Sequence, residues 1–177
     1  MILIGDNVDA PLKSFLKAKT SDNIRFIDQQ FGSNGASFRF QLELASSLDD
    51  EEVVLLQEDD YLYKPPTWPY HSTISYSELF SEALQYADYV SVYDHPDKYS
   101  QRYAGLQAQI FISNYAHWRT IPSTCGTFGG KVGYFKKDKE RHHYNLGDHN
   151  KFLKLTQKGR HFISPLPAIA THCVDPW

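Results

Sequence analysis

An α/β fold built on a mainly parallel sheet is what this sequence predicts, and three observations predict it. Apolar, β-branched runs at Ile2–Ile4, Ile24–Ile27 and Val53–Gln57 read as strands, separated by segments with helical spacing. Alternating strands and helices imply parallel strands joined by helical crossovers. Each run also stops on an acid: Asp6, Asp28 and the triplet Glu58-Asp59-Asp60. In open α/β sheets the carboxyl ends of the strands are where ligands bind.

Taken in order, Ile2-Leu3-Ile4 is a first, central strand that ends at Gly5-Asp6-Asn7. Asp9 is placed to cap a short helix, with Pro11 in its first turn and Leu12, Phe15 and Leu16 facing inward. Gly32-Ser33-Asn34-Gly35 is turn chemistry, and Phe38, Leu42, Ala45 and Leu48 give a helix over 36–48. Val53-Val54-Leu55-Leu56 is apolar at every position, as a strand covered on both faces requires.

Residues 61–70 form a loop rich in proline and aromatic rings. Ser75-Tyr76-Ser77-Glu78 is a capping box, opening a helix with Leu79, Ala83, Leu84 and Ala87 inside. Tyr89–Tyr93 alternates as a strand, Leu106–Ile112 is strand-like, and Val132–Phe135 reads as extended after a Gly129-Gly130 turn. A basic stretch, Lys136 to His143, reads as a solvated hairpin tip. Gly147-Asp148 opens a helix carrying Phe152, Leu153 and Leu155 and closed by Gly159, and Phe162-Ile163 is a last short strand.

The 177 residues suit one domain over 1–177 with its own core, without repeats or linkers. A formal net charge of −3 gives no electrostatic case for nucleic acid or a membrane surface. The N-terminal apolar run is too short for a signal peptide or a membrane span. Two cysteines, Cys125 and Cys173, do not make a disulfide framework, so reduced thiols and a cytoplasmic location are expected.

Three adjacent carboxylates at the end of a core strand repel one another unless a cation or hydrogen-bond donors meet them. Oxygen-rich sites of that kind suit hard cations such as Mg²⁺ or Mn²⁺. A solvated acidic turn is the plainer reading.

With Glu58-Asp59-Asp60 at a strand end and Ser33-Asn34-Gly35-Ala36-Ser37-Phe38-Arg39 opening the preceding helix, the chain resembles a GT-A glycosyltransferase. The helix opening is similar to that of family-2-type transferases. The small size and late Thr171-His172-Cys173 resemble the compact GT-A modules of large algal viruses. Glu58 stands where the family's Asp-x-Asp motif has its first aspartate, which leaves its role less defined than that of Asp60. The resemblance implies a nucleotide-sugar-binding half over about 1–95 and a smaller acceptor half over 96–177. It implies a nucleotide-sugar donor, a UDP-sugar first among them, a hydroxyl acceptor such as a glycan, and a Mn²⁺ or Mg²⁺ cofactor.

Within that resemblance Asp60 is the main metal ligand and His172 the second, since Mn²⁺ accepts imidazole nitrogen. Asp6, Asp28, Arg39, Glu58 and Asp59 are the residues expected around the donor. Asp148, at a late helix opening, is the expected general base of an inverting transfer. Each has a structural alternative: a partly buried histidine for His172, an N-cap for Asp148, a turn residue for Asp6, a surface arginine for Arg39.

Trp68, Tyr70 and Trp118 are candidate platforms for sugar rings, with core packing the favoured reading for Trp118. Lys136, Lys137, Lys139, Arg141, His142 and His143 are candidates to close over a diphosphate. Asp94-His95-Pro96-Asp97 has ligand-like residue types, yet it is a poor zinc site and reads as a turn.

Two other classes compete. A nucleotidyltransferase or metal-dependent phosphotransfer enzyme would also use a carboxylate-held cation, but no Gly-rich phosphate loop is present. A carbohydrate-binding GT-A-like domain without turnover is the non-enzymatic reading.

Overall fold

In a computed structural model of the chain, residues 1–65, 74–101, 104–105, 107–142 and 148–173 are described, with Arg141, His142 and Asp148 described by backbone alone. The chain divides into two compact units, Met1–Leu44 and Ala45–Trp177.

In the first unit, β1 (Ile2–Asp6) and β2 (Arg25–Gln29) pair in parallel from Ile2↔Arg25 to Asp6↔Gln29. The helix α1 (Ala10–Ala18) is the crossover between them. Asp9 caps it as its position predicts, accepting from the Leu12 N–H at 2.8 Å. Leu12 and Phe15 are exposed rather than turned inward. A two-stranded sheet offers α1 too little apolar surface to cover both side chains. A second helix, α2 (Asn34–Ala45), starts two residues before the expected helix and stops three short of it.

The second unit is organised by a six-stranded sheet. Its members are β3 (Val53–Leu56), β5 (Tyr89–Ser91), β6 (Ile110–Ile112), β7 (His117–Thr120), β8 (Phe128–Lys131) and β9 (Phe162–Leu166), in the spatial order β3-β8-β5-β9-β7-β6. Only the β5–β9 pairing is parallel; β3–β8, β5–β8, β7–β9 and β6–β7 are antiparallel. The class is therefore mixed α/β, and the expected mainly parallel sheet is corrected. The expected side-by-side set of the first three strands is corrected too, because β3 hydrogen-bonds to β8 in a different sheet from β1 and β2.

The reason lies in β8. Its Gly129-Gly130, read from sequence as a turn, sits within a strand flanked on both edges by β3 and β5. A Cβ on Gly129 would come 3.0 Å from the Phe80 ring, and one on Gly130 would come 2.7 Å from the Tyr89 ring and 2.9 Å from the Asp88 carbonyl oxygen. The two glycines are needed for close packing on opposite faces.

Those opposite faces carry different helices. Side chains alternate along a strand, so Val90 and Ile163 join Phe80 and Ala83 of α3 (Tyr76–Ala83) in one core. Tyr89, Phe128 and Phe162 instead meet Phe135 of α4 (Val132–His142) and Phe152 of α5 (Asp148–Gln157), with ring centroids 5.0–5.6 Å apart. Ser75 and Glu78 form the expected capping box on α3.

Val132–Phe135 is helical, not extended, because a helix brings Val132 and Phe135 onto one buried face three residues apart. The basic stretch that follows belongs to α4 through His142, so no hairpin tip forms there. Lys136 Nζ donates to the Leu48 carbonyl at 2.9 Å and lies 2.5 Å from Asp50. Asp138, 1% exposed, accepts from Arg160 at 2.7 Å and from the Tyr89 hydroxyl at 2.9 Å.

A two-stranded antiparallel ribbon belongs to the same unit: β4 (Tyr61–Tyr63) pairs with β10 (Ala170–His172), which, rather than Phe162-Ile163, is the last strand among the described residues. Among the described residues no helix is long and apolar enough to cross a membrane.

Candidate functional site

Antiparallel to β8 on either side, β3 and β5 run in the same direction, and β9 runs parallel to β5. The carboxyl ends of β3, β5 and β9 thus share one edge of the sheet with the amino end of β8. Five segments leave from that edge: 57–60 after β3, 92–99 after β5, 167–172 after β9, 123–127 leading into β8, and the turn 113–116 between β6 and β7.

The acids after β3 are held from two directions. The Glu58 N–H donates to Thr127 Oγ1 at 3.0 Å, and Thr127 is 1% exposed. The Glu58 carboxylate lies over Gly126, where a Cβ would fall 2.6 Å from it. Asp59 is exposed. Asp60 turns back toward the ribbon: its carbonyl accepts the Cys173 N–H at 2.8 Å, and the β4–β10 register sets His172 opposite Tyr61. His172 Nε2 then lies 2.9 Å from Asp60 Oδ2. The other carboxylate oxygen, Oδ1, is buried with no hydrogen-bond partner among the described residues.

Aromatic rings fix the imidazole. Tyr61 stacks on His172 with centroids 4.7 Å apart and planes at 23°, and Tyr93, at the end of β5, lies 6.3 Å from it. Burial pushes the Tyr61 phenol well above its ordinary range, helped by the neighbouring Cys125, Glu58 and Asp60. The Tyr93 phenol moves the same way, again mainly by burial and next by Cys125. His95, 5.2 Å from the Tyr93 ring, has its pKa lowered mainly by burial, although Asp97 Oδ1 lies 3.0 Å from its Nδ1 and opposes the shift.

The loop 123–127 ties this edge to the start of α5. Thr124 Oγ1 donates to Ser91 Oγ at 2.9 Å, fastening the loop to β5. Ser123 Oγ lies 3.0 Å from His149 Nδ1, the second residue of α5. The backbone of Asp148, first residue of that helix, is therefore adjacent to the loop that bears Gly126 and Thr127. The expected helix opening is met; the side chain of Asp148, like Gly147 before it, lies outside the described residues.

Of the residues expected to form a site, Asp60 and His172 come together, with Glu58 and Asp59 in the same segment. Asp6 and Asp28 belong to the first unit and have local roles there. Asp6 Oδ1 accepts the Phe31 N–H at 2.8 Å, and Asp28 pairs with Lys13 at 2.7 Å. Arg39 is a half-buried residue of α2. Trp118 is fully buried in β7 and is a core residue. Trp68, Tyr70 and His143 lie outside the described residues.

Tyr61, Tyr93, Cys125, Gly126, Thr127 and His149 were not legible as site residues. Only the ligand-like run Asp94-His95-Pro96-Asp97 signalled that the segment after β5 matters.

Among the described residues no cluster of three or more histidine, cysteine or acidic side chains stands ready to hold a metal ion. Two donors, Asp60 and His172, still fit a divalent cation that takes its remaining ligands from phosphate oxygens and water. The unpartnered Asp60 Oδ1 is the atom such a cation would satisfy.

Compared with known proteins, the chain matches no family model and no curated protein sequence.

Proposed function

We propose that the chain is a metal-dependent glycosyltransferase of the GT-A type, moving a sugar from a nucleoside-diphosphate sugar to a hydroxyl of a glycan or similar acceptor. The observation that carries the reading is the Asp60–His172 contact at 2.9 Å, with Asp60 Oδ1 buried beside it and unpartnered among the described residues. A carboxylate and an imidazole 112 residues apart in sequence, at the carboxyl edge of a sheet, form a donor pair suited to Mn²⁺ or Mg²⁺. When bound, the cation would neutralise charge on the departing diphosphate.

The chain's own residues supply the rest. Glu58, seated over Gly126, and the exposed Asp59 flank the position of the donor. Asp148, opening α5, takes the proton of the acceptor hydroxyl as a single C–O bond forms at the anomeric carbon and the bond to the diphosphate breaks. A helix N-terminus favours the ionised carboxylate that this role requires. The link Ser123–His149 supports the assignment, because it joins the opening of α5 to the loop that cradles Glu58.

The test is a titration of the protein with UDP and other nucleoside diphosphates, with and without Mn²⁺, followed by a sugar-transfer and hydrolysis assay. Mn²⁺-dependent binding and turnover are expected. Tight nucleotide binding that ignores the metal and Asp60→Ala alike would overturn the reading.

A further inference from the structure

The segment after β5 contains a charge that the proposed chemistry has not used. Pro96–Tyr99 forms one turn of 3-10 helix. Five ionisable side chains around that turn have found partners. Arg119 Nη1 meets Asp94 at 3.3 Å, both side chains being almost fully buried, and its guanidinium lies over the Tyr99 ring at 4.5 Å. The Tyr99 hydroxyl donates to Asp94. Asp97 faces His95 at 3.0 Å.

Lys98 is the remaining one. It is 8% exposed, and among the described residues no carboxylate lies within ion-pair distance of its ammonium. Its Nζ is not one of the fully buried side-chain atoms that lack a partner, so the ammonium reaches solvent from a buried stem and can meet a ligand there. Burial holds the Lys98 pKa below its ordinary value, while Asp94 and Asp97 act in the opposite direction without reaching it.

The location is specific. Lys98 hangs from His95 through a backbone hydrogen bond of 3.1 Å, and His95 is linked through Tyr93 to the imidazole of His172. Lys98 and Cys125 are electrostatic neighbours, and Cys125 in turn acts on Tyr61 and Tyr93. Among the described residues, an ammonium without an ion-pair partner and a carboxylate oxygen without a hydrogen-bond partner thus sit on two of the segments that leave one edge of the sheet. Such a combination accommodates a ligand carrying negative charge that also brings a cation.

We infer that Lys98 is an anion-binding residue at this edge of the sheet, donating to a phosphate oxygen of the ligand independently of the metal held by Asp60. The ammonium is a compact point charge on a buried stem, suited to a single phosphate oxygen rather than to bidentate recognition. That the phosphate belongs to the donor's diphosphate, rather than to a phosphorylated acceptor, rests on the transferase reading; the anion site itself does not.

The experiment is a thermal-shift and calorimetric titration of wild type, Lys98→Met, Lys98→Gln and Lys98→Arg with inorganic pyrophosphate in EDTA, and with UDP plus Mn²⁺. Pyrophosphate should stabilise the wild type without metal, and affinity should fall about 10- to 100-fold in Lys98→Met and Lys98→Gln, the loss of one charge-assisted hydrogen bond. Lys98→Arg, which keeps the charge, should retain part of the response. Lys98→Met without ligand should melt near the wild-type temperature, since no ion pair among the described residues is lost; Lys98→Gln serves if Lys98→Met does not fold.

Equal pyrophosphate binding in wild type and both neutral variants, or none in the wild type, would overturn the inference. UDP binding indifferent to Mn²⁺ and to Asp60→Ala would overturn the transferase reading instead, leaving the pyrophosphate result intact. UDP binding that depends on Lys98 assigns the phosphate to the donor. Dependence on Lys98 for pyrophosphate but not for UDP removes the donor assignment and leaves a phosphorylated acceptor.

Discussion

His172 Nε2 and Asp60 Oδ2 are 2.9 Å apart across 112 residues of sequence. Neither position alone explains the contact; the β4–β10 ribbon does, by pairing His172 with Tyr61, the residue next to Asp60. If the pair holds the cation, Asp60→Ala should abolish Mn²⁺-dependent binding of UDP while the protein stays folded. His172→Ala should weaken it less, because water can fill the vacant position. Isothermal titration with Mn²⁺ and UDP, alongside circular dichroism, measures both. Unchanged Mn²⁺ affinity in His172→Ala would reduce the histidine to a support for Tyr61.

Gly126 gives a way to move Glu58 without deleting it. The Cβ of Gly126→Ala would fall 2.6 Å from the Glu58 carboxylate, the far end of a flexible side chain that can swing away. The variant should fold with a melting temperature near that of the wild type. Nucleotide affinity should nevertheless drop by about tenfold if Glu58 contributes a charge-assisted contact. An unaltered dissociation constant would separate Glu58 from the donor.

Gly130 presents the opposite situation. A methyl group there meets the backbone oxygen of Asp88 at 2.9 Å and the Tyr89 ring at 2.7 Å, and neither can yield easily in a strand bonded on both edges. Gly130→Ala should therefore destabilise by about 1–3 kcal/mol, the usual effect of overpacking. Urea denaturation would measure the shift. No loss of stability would mean that β8 can move relative to β5.

Asp148 at the opening of α5 can act as base, as cap, or as both. Asp148→Asn keeps the shape and the capping oxygen, so donor affinity should hold while turnover falls about 10²–10⁴-fold. Asp148→Ala should lose turnover similarly and melt lower than Asp148→Asn. Near-normal turnover in Asp148→Asn, measured with a productive donor and acceptor, would leave Asp148 as a cap only.

Local signals in the sequence determined the local structure. Asp9 and the Ser75/Glu78 box announced their helices, and Val53–Leu56 announced a strand running into acids, because capping and hydrophobic runs act over a few residues. The pairing of Asp60 and His172 as cation donors could be proposed from residue types and the resemblance; their contact could not. Strand direction was decided only in three dimensions. β8 enters between β3 and β5 because two adjacent glycines let Phe80 and Tyr89 press against it from opposite faces, and side-chain periodicity carries no mark of that insertion. The same edge then gathers Tyr61, Tyr93, Lys98 and the 123–127 loop. Each is unremarkable in the chain, and each acquires its chemistry from burial beside groups distant in sequence.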